Sequence, residues 1–222
     1  MNPLFTKADL VCIPVAFKVS KLYSMKPTSG SGDFAYVGDG GDRIKKNGNQ
    51  VTMAANVPRL DYTGSLTCGR ILLDAQANEE LSLSALPTDL EDNFTIYFEV
   101  GRNQLDSNTS ELIKFVSATS GELSVFHTTN GRMRVKVTDD SGNFDNLYTA
   151  NDAWNENEKL KVALRATDTE LKFYGAGALI DTSTGVGGVS LDEIEKITNT
   201  HFYEMRIYTT TLTDAECKEL TA

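Results

Sequence analysis

The stretch HFYEMRIY, residues 201–208, carries the main signal for the fold of this chain. Its apolar Tyr203, Met205 and Ile207 alternate with charged residues. An alternation with a period of two residues is typical of a half-buried β-strand. The segment therefore predicts a strand with one apolar face and one charged face.

The residues that follow predict a short C-terminal helix. Thr213-Asp214-Ala215-Glu216 has the spacing of a capping box. In such a box the Thr213 hydroxyl accepts from the Glu216 N–H, and the Glu216 carboxylate accepts from the Thr213 N–H. Leu212 before the cap and Cys217 four positions after it are placed as a hydrophobic staple. The block therefore reads as strand, turn and helix.

Upstream of this block, short strand-like runs recur between turn signals. They cover residues 94–100, 111–116, 122–127, 132–137, 160–164 and 170–174. Asn-Gly pairs at 47–48 and 130–131 predict tight hairpin turns, because both residue types tolerate positive φ. Leu191 to Glu195, after Ser190 as a cap, is expected to form one helical turn. Many short strands with regular turns predict a β-sandwich or jelly roll.

Residues 203–216 resemble the closing strand and helix of laminin-G-like, concanavalin A-type jelly rolls. The matching residues are Tyr-Glu-Met-Arg-Ile-Tyr at 203–208 and Leu-Thr-Asp-Ala-Glu at 212–216. The resemblance implies an all-β, concanavalin A-like (laminin-G-like) antiparallel jelly-roll sandwich, with an extended N-terminal arm and a short C-terminal helix.

A second resemblance concerns the segment before this domain. Ala-Asn-Val-Pro-Arg-Leu-Asp-Tyr at 55–62, followed by residues 71–78, is similar to a segment of bacteriophage virion proteins that precedes a laminin-G-like domain. Family members often carry Glu-Pro-Gln-Arg-Thr-Asn where this chain has Asp-Ala-Gln-Ala-Asn at 74–78. The resemblance implies a tail fibre or another virion structural protein.

The composition predicts three regions along the chain. A Pro/Ser/Gly-rich joint at 26–32 predicts that residues 1–32 form an extended attachment arm. Residues 33–85 are expected to form a small β region that leads into the sandwich, and residues 86–222 the laminin-G-like jelly roll. The arm is expected to lie along a partner or a second copy of the chain.

The charge is distributed unevenly between the two parts of the chain. The net charge of −10 divides into nine Lys/Arg and five Asp/Glu in residues 1–70, and twelve and twenty-six in residues 71–222. An acidic domain argues against nucleic acid as a partner, because contacts to phosphate need clustered cations. The basic segment can dock on an acidic surface of the particle, or can serve solubility alone.

The cysteines and the apolar segments indicate where the protein is made. Cys12, Cys68 and Cys217 are too few and too scattered for a disulfide framework or a zinc site, so free and mostly buried thiols are expected. No apolar run is long enough for a membrane span, and Leu10 to Phe17 lacks a cleavage site, so no signal peptide is expected. We expect synthesis in the host cytoplasm and a location in the virion.

Some concanavalin A-type folds are glycoside hydrolases, so the sequence was compared with their catalytic motif. Their Glu-x-Asp-x-x-Glu motif is missing from the sequence, and the nearest pair of carboxylates is Glu193 with Glu195. Two suitably placed carboxylates are needed to break a glycosidic bond. His127 and His201 lie in strand-like runs without a recognisable nucleophile nearby. The chain is therefore expected not to be an enzyme, with no catalytic residues.

The run Asp-Asp-Ser-Gly-Asn-Phe-Asp-Asn at 139–146 is the best candidate for an ion site. Asp139, Asp140, Asn143 and Asp145 offer the oxygen ligands that calcium prefers. A hairpin turn rich in Asp, Asn and Gly also forms without an ion. Calcium is therefore the one candidate cofactor, and no other cofactor is expected.

Two aromatic residues are candidates for ligand binding. Tyr148 and Trp154 can form a stacking platform for a sugar, or Trp154 can anchor the core between the sheets. Arg132, Arg134 and Lys136 alternate on one strand face, which predicts a solvated face or a contact with an acidic surface of another subunit.

The sequence thus favours a non-enzymatic bacteriophage virion structural protein of the tail, collar or capsid surface. Its expected partners are other virion proteins and copies of itself, in a homo-oligomer. The alternative is a lectin-like carbohydrate-binding module for adhesion and receptor recognition, with a host surface polysaccharide as ligand. The fold alone does not distinguish the two.

Overall fold

The computed structural model describes residues 10–13, 23–28, 33–36, 45–46, 49–50, 61–62, 65–67, 70–73, 80–83, 86, 90–102, 109–151, 153–154, 158–186, 188–198 and 200–222. Residues 55–60 and 74–78 of the phage-like segment lie outside this set, as does Cys68. No helix in the described part has the length and apolar character needed to cross a membrane.

The described elements are, in chain order, β1 (Leu10–Ile13), β2 (Tyr23–Thr28), β3 (Asp33–Tyr36), β4 (Lys45–Lys46), β5 (Asn49–Gln50), β6 (Asp61–Tyr62), β7 (Ser65–Thr67), β8 (Arg70–Leu73), β9 (Glu80–Leu83), β10 (Leu90–Glu91), β11 (Phe94–Arg102), β12 (Ser110–Val116), β13 (Glu122–His127), β14 (Met133–Thr138), β15 (Phe144–Tyr148), β16 (Lys159–Ala166), β17 (Leu171–Gly175), β18 (Ala178–Ser183), β19 (Ser190–Leu191), β20 (Glu193–Thr198), β21 (Thr200–Tyr208) and the helix α1 (Asp214–Thr221).

The strands form two large antiparallel sheets. The larger has ten strands in the order β18-β17-β16-β11-β21-β1-β2-β3, with β8 also paired to β21 and β7 paired to β8. The smaller has seven strands in the order β15-β14-β13-β12-β20-β9-β6. Two short pairs, β10 with β19 and β4 with β5, lie apart from these sheets. The pairing of β4 with β5 confirms the hairpin predicted at Asn47-Gly48.

The core lies between the two sheets, because the strands alternate buried and half-buried residues. On β14, Met133, Val135 and Val137 are buried, whereas Arg134 and Lys136 are half-buried. Residues from both sheets, such as Phe98 and Phe115, join one hydrophobic core. Two sheets that share a core between their inner faces form a sandwich. The predicted all-β antiparallel sandwich is confirmed.

Helix α1 begins with the predicted cap. The Thr213 N–H donates to Glu216 Oε2 at 2.9 Å, and Thr213 Oγ1 accepts from the Glu216 N–H at 3.3 Å. Leu212 and Cys217, the predicted staple, are both buried. Burial raises the pKa of the Cys217 thiol to about 12. Cys217 is therefore a free, buried cysteine that serves packing.

A β-bulge on β21 changes the side-chain directions that the sequence predicted there. On β21, Glu99 pairs with Glu204 and Val100 pairs with Phe202, so Tyr203 is the extra residue. Phe202 therefore takes the core position predicted for Tyr203. The helical turn predicted at 191–195 is absent: Ser190–Leu191 form β19 and Glu193–Thr198 form β20, so that prediction was wrong.

The segment predicted as an arm contains two strands of the larger sheet. Strand β1 pairs with β21 through Leu10 and Ile207, and β2 pairs with β1. Residues before position 32 thus take part in the backbone pairing of the larger sheet. The three-region boundaries at 32 and 85 stay a prediction.

Candidate functional site

The turn between β14 and β15 is held together by its own Asp139. Asp139 Oδ1 accepts hydrogen bonds from the backbone N–H groups of Ser141 at 3.0 Å and Asn143 at 2.8 Å. Its Oδ2 accepts from Nδ2 of Asn143 at 3.0 Å. Asp139 is 3% exposed, so its carboxylate is used inside the turn.

The other predicted calcium ligands face different neighbours. Asp140 Oδ2 accepts from the Ser190 hydroxyl at 2.7 Å, and Asp145 Oδ1 accepts from the Asn146 N–H at 2.8 Å. In the described residues, no three His, Cys, Asp or Glu side chains are grouped so that they could hold a metal. Each of the three aspartates among the predicted ligands thus already accepts a hydrogen bond from the protein, and calcium binding stays a prediction.

Trp154 is a core residue and offers no surface to a ligand. It has 0% exposure, and its Nε1–H donates to the Glu158 carbonyl at 2.7 Å. The His127 ring lies edge-on to it, with ring centroids 6.0 Å apart. A ring without an open face cannot stack on a sugar, so the structure replaces the predicted ligand role of Trp154 with the alternative, a core anchor.

Tyr148 lines an open pocket where the two sheets meet edge to edge. The pocket has a volume of about 520 Å³ and is lined by Tyr148, Thr149, Ala150, Ala153, Leu160, Gly175, Ala176 and Ile180. Strands β15 and β18, which contribute to it, are edge strands of the smaller and the larger sheet. The described lining is mostly apolar, and Tyr148 is the aromatic residue among its members.

The outer face of the smaller sheet next to this pocket carries alternating rings and guanidinium groups. Arg134 on β14 pairs across strands with Phe126 on one side and Tyr148 on the other. The Cζ of Arg134 lies 4.0 Å from the Phe126 ring centroid, and the Cζ of Arg132 lies 4.2 Å from that of Tyr148. Stacking of this kind fixes the plane of each guanidinium. We call Phe126, Arg132, Arg134 and Tyr148 the arginine–aromatic surface.

The lysines of the same outer face are neutralised by glutamates. Lys136 lies 3.0 Å from Glu122, and Lys114 lies 2.7 Å from Glu195. Burial opposes the ionisation of Glu122, but hydrogen bonds from Lys136 and Ser124 outweigh it and lower the pKa of Glu122. The lysines on this face are therefore not a source of free positive charge.

The two arginines differ from these lysines. Within the described part of the chain, neither Arg132 nor Arg134 has a carboxylate partner. Arg132 donates from Nε to the Thr149 carbonyl at 3.1 Å. Arg134 has a buried Nε that meets no hydrogen-bond acceptor among the described residues. With respect to those residues, the arginine–aromatic surface is thus a local concentration of unpaired positive charge in a protein of net charge −10.

The histidines lie away from the pocket lining. His127 and His201 are 3% and 7% exposed, and neither is among the residues that line the pocket. Among the described residues, no side chain that lines the pocket carries a carboxylate, an imidazole or a thiol. The lining thus offers apolar contact, one phenol and backbone groups.

Sequence reasoning found Tyr148 but missed the other members of this site. Arg132 and Arg134 were predicted as part of a solvated face or of a contact with another subunit, and Phe126 and Leu160 as strand residues. Ile180 lies outside the predicted strands. The sequence did contain a signal for a basic surface: Arg132, Arg134 and Lys136 occupy alternate positions and so share one face of the strand. The distinction between paired lysine and unpaired arginine needs the positions of the glutamates on neighbouring strands.

The sequence matches no protein-family model and no curated protein. Among solved structures, the receptor binding domain of botulinum neurotoxin C/D mosaic serotype superimposes with a TM-score of 0.57 at 10% identity, over 97% of this chain and 51% of that chain. A heptameric SAP-like pentraxin from Limulus polyphemus gives a TM-score of 0.50 at 10% identity, over 73% and 81%. Ruminococcus gnavus IT-sialidase CBM40 bound to α2,3-sialyllactose gives 0.46 at 17% identity, over 59% and 83%.

These likenesses concern the fold. The chain spans about half the length of the toxin domain that it matches. At 10% identity, the toxin domain and the pentraxin show that the two sheets adopt the jelly-roll sandwich of lectin-type domains. None of these three structures is a phage protein.

Proposed function

We propose that this protein is a non-catalytic, lectin-like carbohydrate-binding module whose ligand lies in the pocket at Tyr148. The observation that carries the proposal is the pocket of about 520 Å³ with a mostly apolar lining and one tyrosine ring. Ligand sites are typically concave, apolar and of this size, with a few polar groups. The apolar face of a pyranose fits against such a ring, and its hydroxyls can reach the exposed backbone groups of the rim.

The fold and the lining support a binding role. A domain of the same fold is named as the receptor-binding part of a neurotoxin, so this sandwich is used elsewhere for recognition. The lining residues that the structure describes bring no pair of carboxylates, which hydrolysis of a glycoside needs. Both points favour a module that binds a sugar without changing it.

Two aromatic residues on one strand permit a matched test of this proposal. Tyr148 lines the pocket, whereas Phe144, on the same strand β15, is 65% exposed and outside it. A glycan array identifies the ligand, and isothermal titration then measures its affinity for each variant. Tyr148→Ala should weaken binding by at least about tenfold, because truncating a central aromatic anchor typically has that effect. Phe144→Ala should leave affinity unchanged.

Three results would count against the proposal. Absence of binding to any glycan would remove it, and equal losses in the two variants would move the site away from the pocket. Release of sugar product from a bound polysaccharide would contradict the non-catalytic role.

The virion role implied by the sequence resemblance at 55–62 extends this proposal. A virion component that presents many copies of a weak glycan-binding domain would gain avidity for a host surface. Other virion proteins and further copies of the chain would then be its partners. A particle reconstruction that places, or fails to place, this chain on the capsid, collar or tail tests that role.

A further inference from the structure

The strongest unexplained feature of the molecule is the pair of arginines beside the pocket. Arg132 and Arg134 are half-buried, stacked on rings and without carboxylate partners in the part of the chain that the structure describes. Partial burial of a guanidinium costs solvation free energy, and no ion pair offsets that cost when a carboxylate partner is missing. In contrast, three lysines of the same face each form an ion pair with a glutamate: Lys114, Lys136 and Lys196.

The guanidinium of Arg132 is held ready for an acceptor. Its Nε donates to the Thr149 carbonyl at 3.1 Å, and its plane lies over the Tyr148 ring. Its terminal amino groups make no hydrogen bond with described residues. Arg132 lies beside the pocket, because the two residues that it contacts, Thr149 and Tyr148, both line it. A planar guanidinium with free terminal amino groups matches the geometry of a carboxylate.

The overall charge of the protein limits the kind of anion that fits. A net charge of −10 repels a polyanion at long range. A single carboxylate on an otherwise neutral sugar avoids most of that repulsion and still gains the local contact with the arginines. The chemistry therefore favours a sugar with one carboxylate over a densely sulfated chain.

We propose that the arginine–aromatic surface selects sugars that carry a carboxylate, a uronic or a sialic acid, with Arg132 and Arg134 as the groups that recognise it. This rests on the proposed function, since it assigns a ligand class to the same pocket. Arg132 pairs with the carboxylate, Arg134 supplies the second positive charge, and Tyr148 contacts the ring of the sugar.

Matched pairs of sugars test this assignment. Methyl glucuronide against methyl glucoside and 3′-sialyllactose against lactose differ chiefly in the carboxylate, and isothermal titration measures each affinity. We expect the acidic member of one pair to bind at least about tenfold more tightly, as a charge-assisted contact predicts. Which pair shows the preference distinguishes a uronic from a sialic acid.

Variants then show whether the arginines cause the preference. Arg132→Gln and Arg134→Gln should remove most of the preference for the acidic sugar over its neutral partner. Arg134→Lys keeps the charge and should retain part of the preference. Lys136→Gln, on the same face but paired with Glu122, is the control and should behave like wild type. Melting curves exclude variants that do not fold.

The outcomes separate the two proposals. Equal binding of acidic and neutral sugars, or a preference that survives both glutamine variants, overturns the carboxylate assignment and leaves the carbohydrate-binding role intact. Absence of binding to every glycan, acidic or neutral, overturns both.

Discussion

The Asp181 carboxylate accepts a hydrogen bond from the backbone N–H of Tyr148 at 3.0 Å and so joins the edge strands of the two sheets. An edge strand leaves backbone donors without a partner in its own sheet. Here a side chain from β18 of the larger sheet satisfies a donor on β15 of the smaller sheet. The contact fixes Tyr148, and with it one wall of the pocket, relative to both sheets.

Removing this contact should loosen the pocket. Asp181→Ala should lower the free energy of unfolding by about 1 kcal/mol and speed hydrogen exchange at the Tyr148 amide. Asp181→Asn keeps an oxygen acceptor and should recover most of the protection. Exchange of individual amides followed by NMR measures this, and Asp168→Ala, an exposed turn residue, is the control. Unchanged exchange at Tyr148 in Asp181→Ala would show that the contact has no role in holding the edge.

Gly121 is expected to be intolerant of any side chain. A Cβ at this position would overlap the Ser190 carbonyl and lie 2.8 Å from Asp140 Oδ1, so the loops around it would have to move. Gly121→Ala should cost about 1–3 kcal/mol in thermal or denaturant unfolding. Gly185→Ala is the matched control, because nothing lies within 4 Å of its Cβ position. Equal stability of the two variants would contradict the described loop packing.

Calcium should leave the stability of the protein unchanged. The Asp139 carboxylate is used by Ser141 and Asn143, so a bound ion would have to compete with the turn. Melting temperatures with calcium and with a chelator should agree within about 1 °C, since a ligand that does not bind the native state does not shift unfolding. Asp139→Ala should cost about 1–3 kcal/mol under both conditions. A calcium-dependent rise in melting temperature that disappears in Asp145→Asn would show that calcium binds at this turn.

The start of helix α1 should weaken in acid. The Tyr174 hydroxyl donates to Asp214 Oδ1 at 2.8 Å, and this bond, with Lys172 and Arg165 nearby, lowers the pKa of Asp214. A carboxyl with a lowered pKa in the folded state contributes stability above its unfolded pKa of about 4, and that stability is lost as the pH falls through the folded value. The Asp214 side chain is 51% exposed, so solvent screens much of this effect. Asp214→Asn should therefore cost only about 0.5 kcal/mol at neutral pH, with the difference from wild type fading below about pH 4.

Urea unfolding between neutral pH and pH 2 measures this difference. Tyr174→Phe removes the main hydrogen bond and should reproduce part of the loss at neutral pH. A difference between wild type and Asp214→Asn that stays constant over the whole range would show that the charge of Asp214 is not involved.

The sequence predicted the sandwich and the capped helix because both depend on local periodicity. Phe94 to Val100 is a dense run of strand-forming residues and 132–137 alternates, and the structure places residues 94–100 in β11 and 133–137 in β14. The capping box depends on Thr213 and Glu216 alone, which are three positions apart. Signals of this kind are complete within a few residues, so they can be read without knowledge of the partner strands.

Periodicity failed where a bulge intervenes. Ile194 and Ile197 are both buried although they are three positions apart, which is the spacing of a helix. On β20 this spacing arises because Phe115 pairs with Ile194 and Lys114 with Lys196, so Glu195 is the extra residue. A bulge adds one residue to a strand and imitates helical spacing, and only the pairing partner reveals it.

The candidate site was predictable in part. Tyr148 was predicted as a ligand residue and lies at the pocket, whereas Trp154, six positions later, lies in the core. Both readings fit the sequence, since a large aromatic residue suits a core and a binding surface equally. The pocket itself comes from the meeting of β15 and β18, which are thirty positions or more apart in the chain, so no local pattern contains it.

The place of β21 has a consequence for how the chain acquires its structure. This strand follows every other strand of the larger sheet in the sequence, yet it lies in the middle, between β11 on one side and β1 and β8 on the other. During synthesis, β1 and β8 must wait for residues 200–208 before they can join β11. The two parts of the larger sheet can therefore join only late in synthesis, and polypeptides interrupted before position 200 would present unpaired edges to chaperones and proteases.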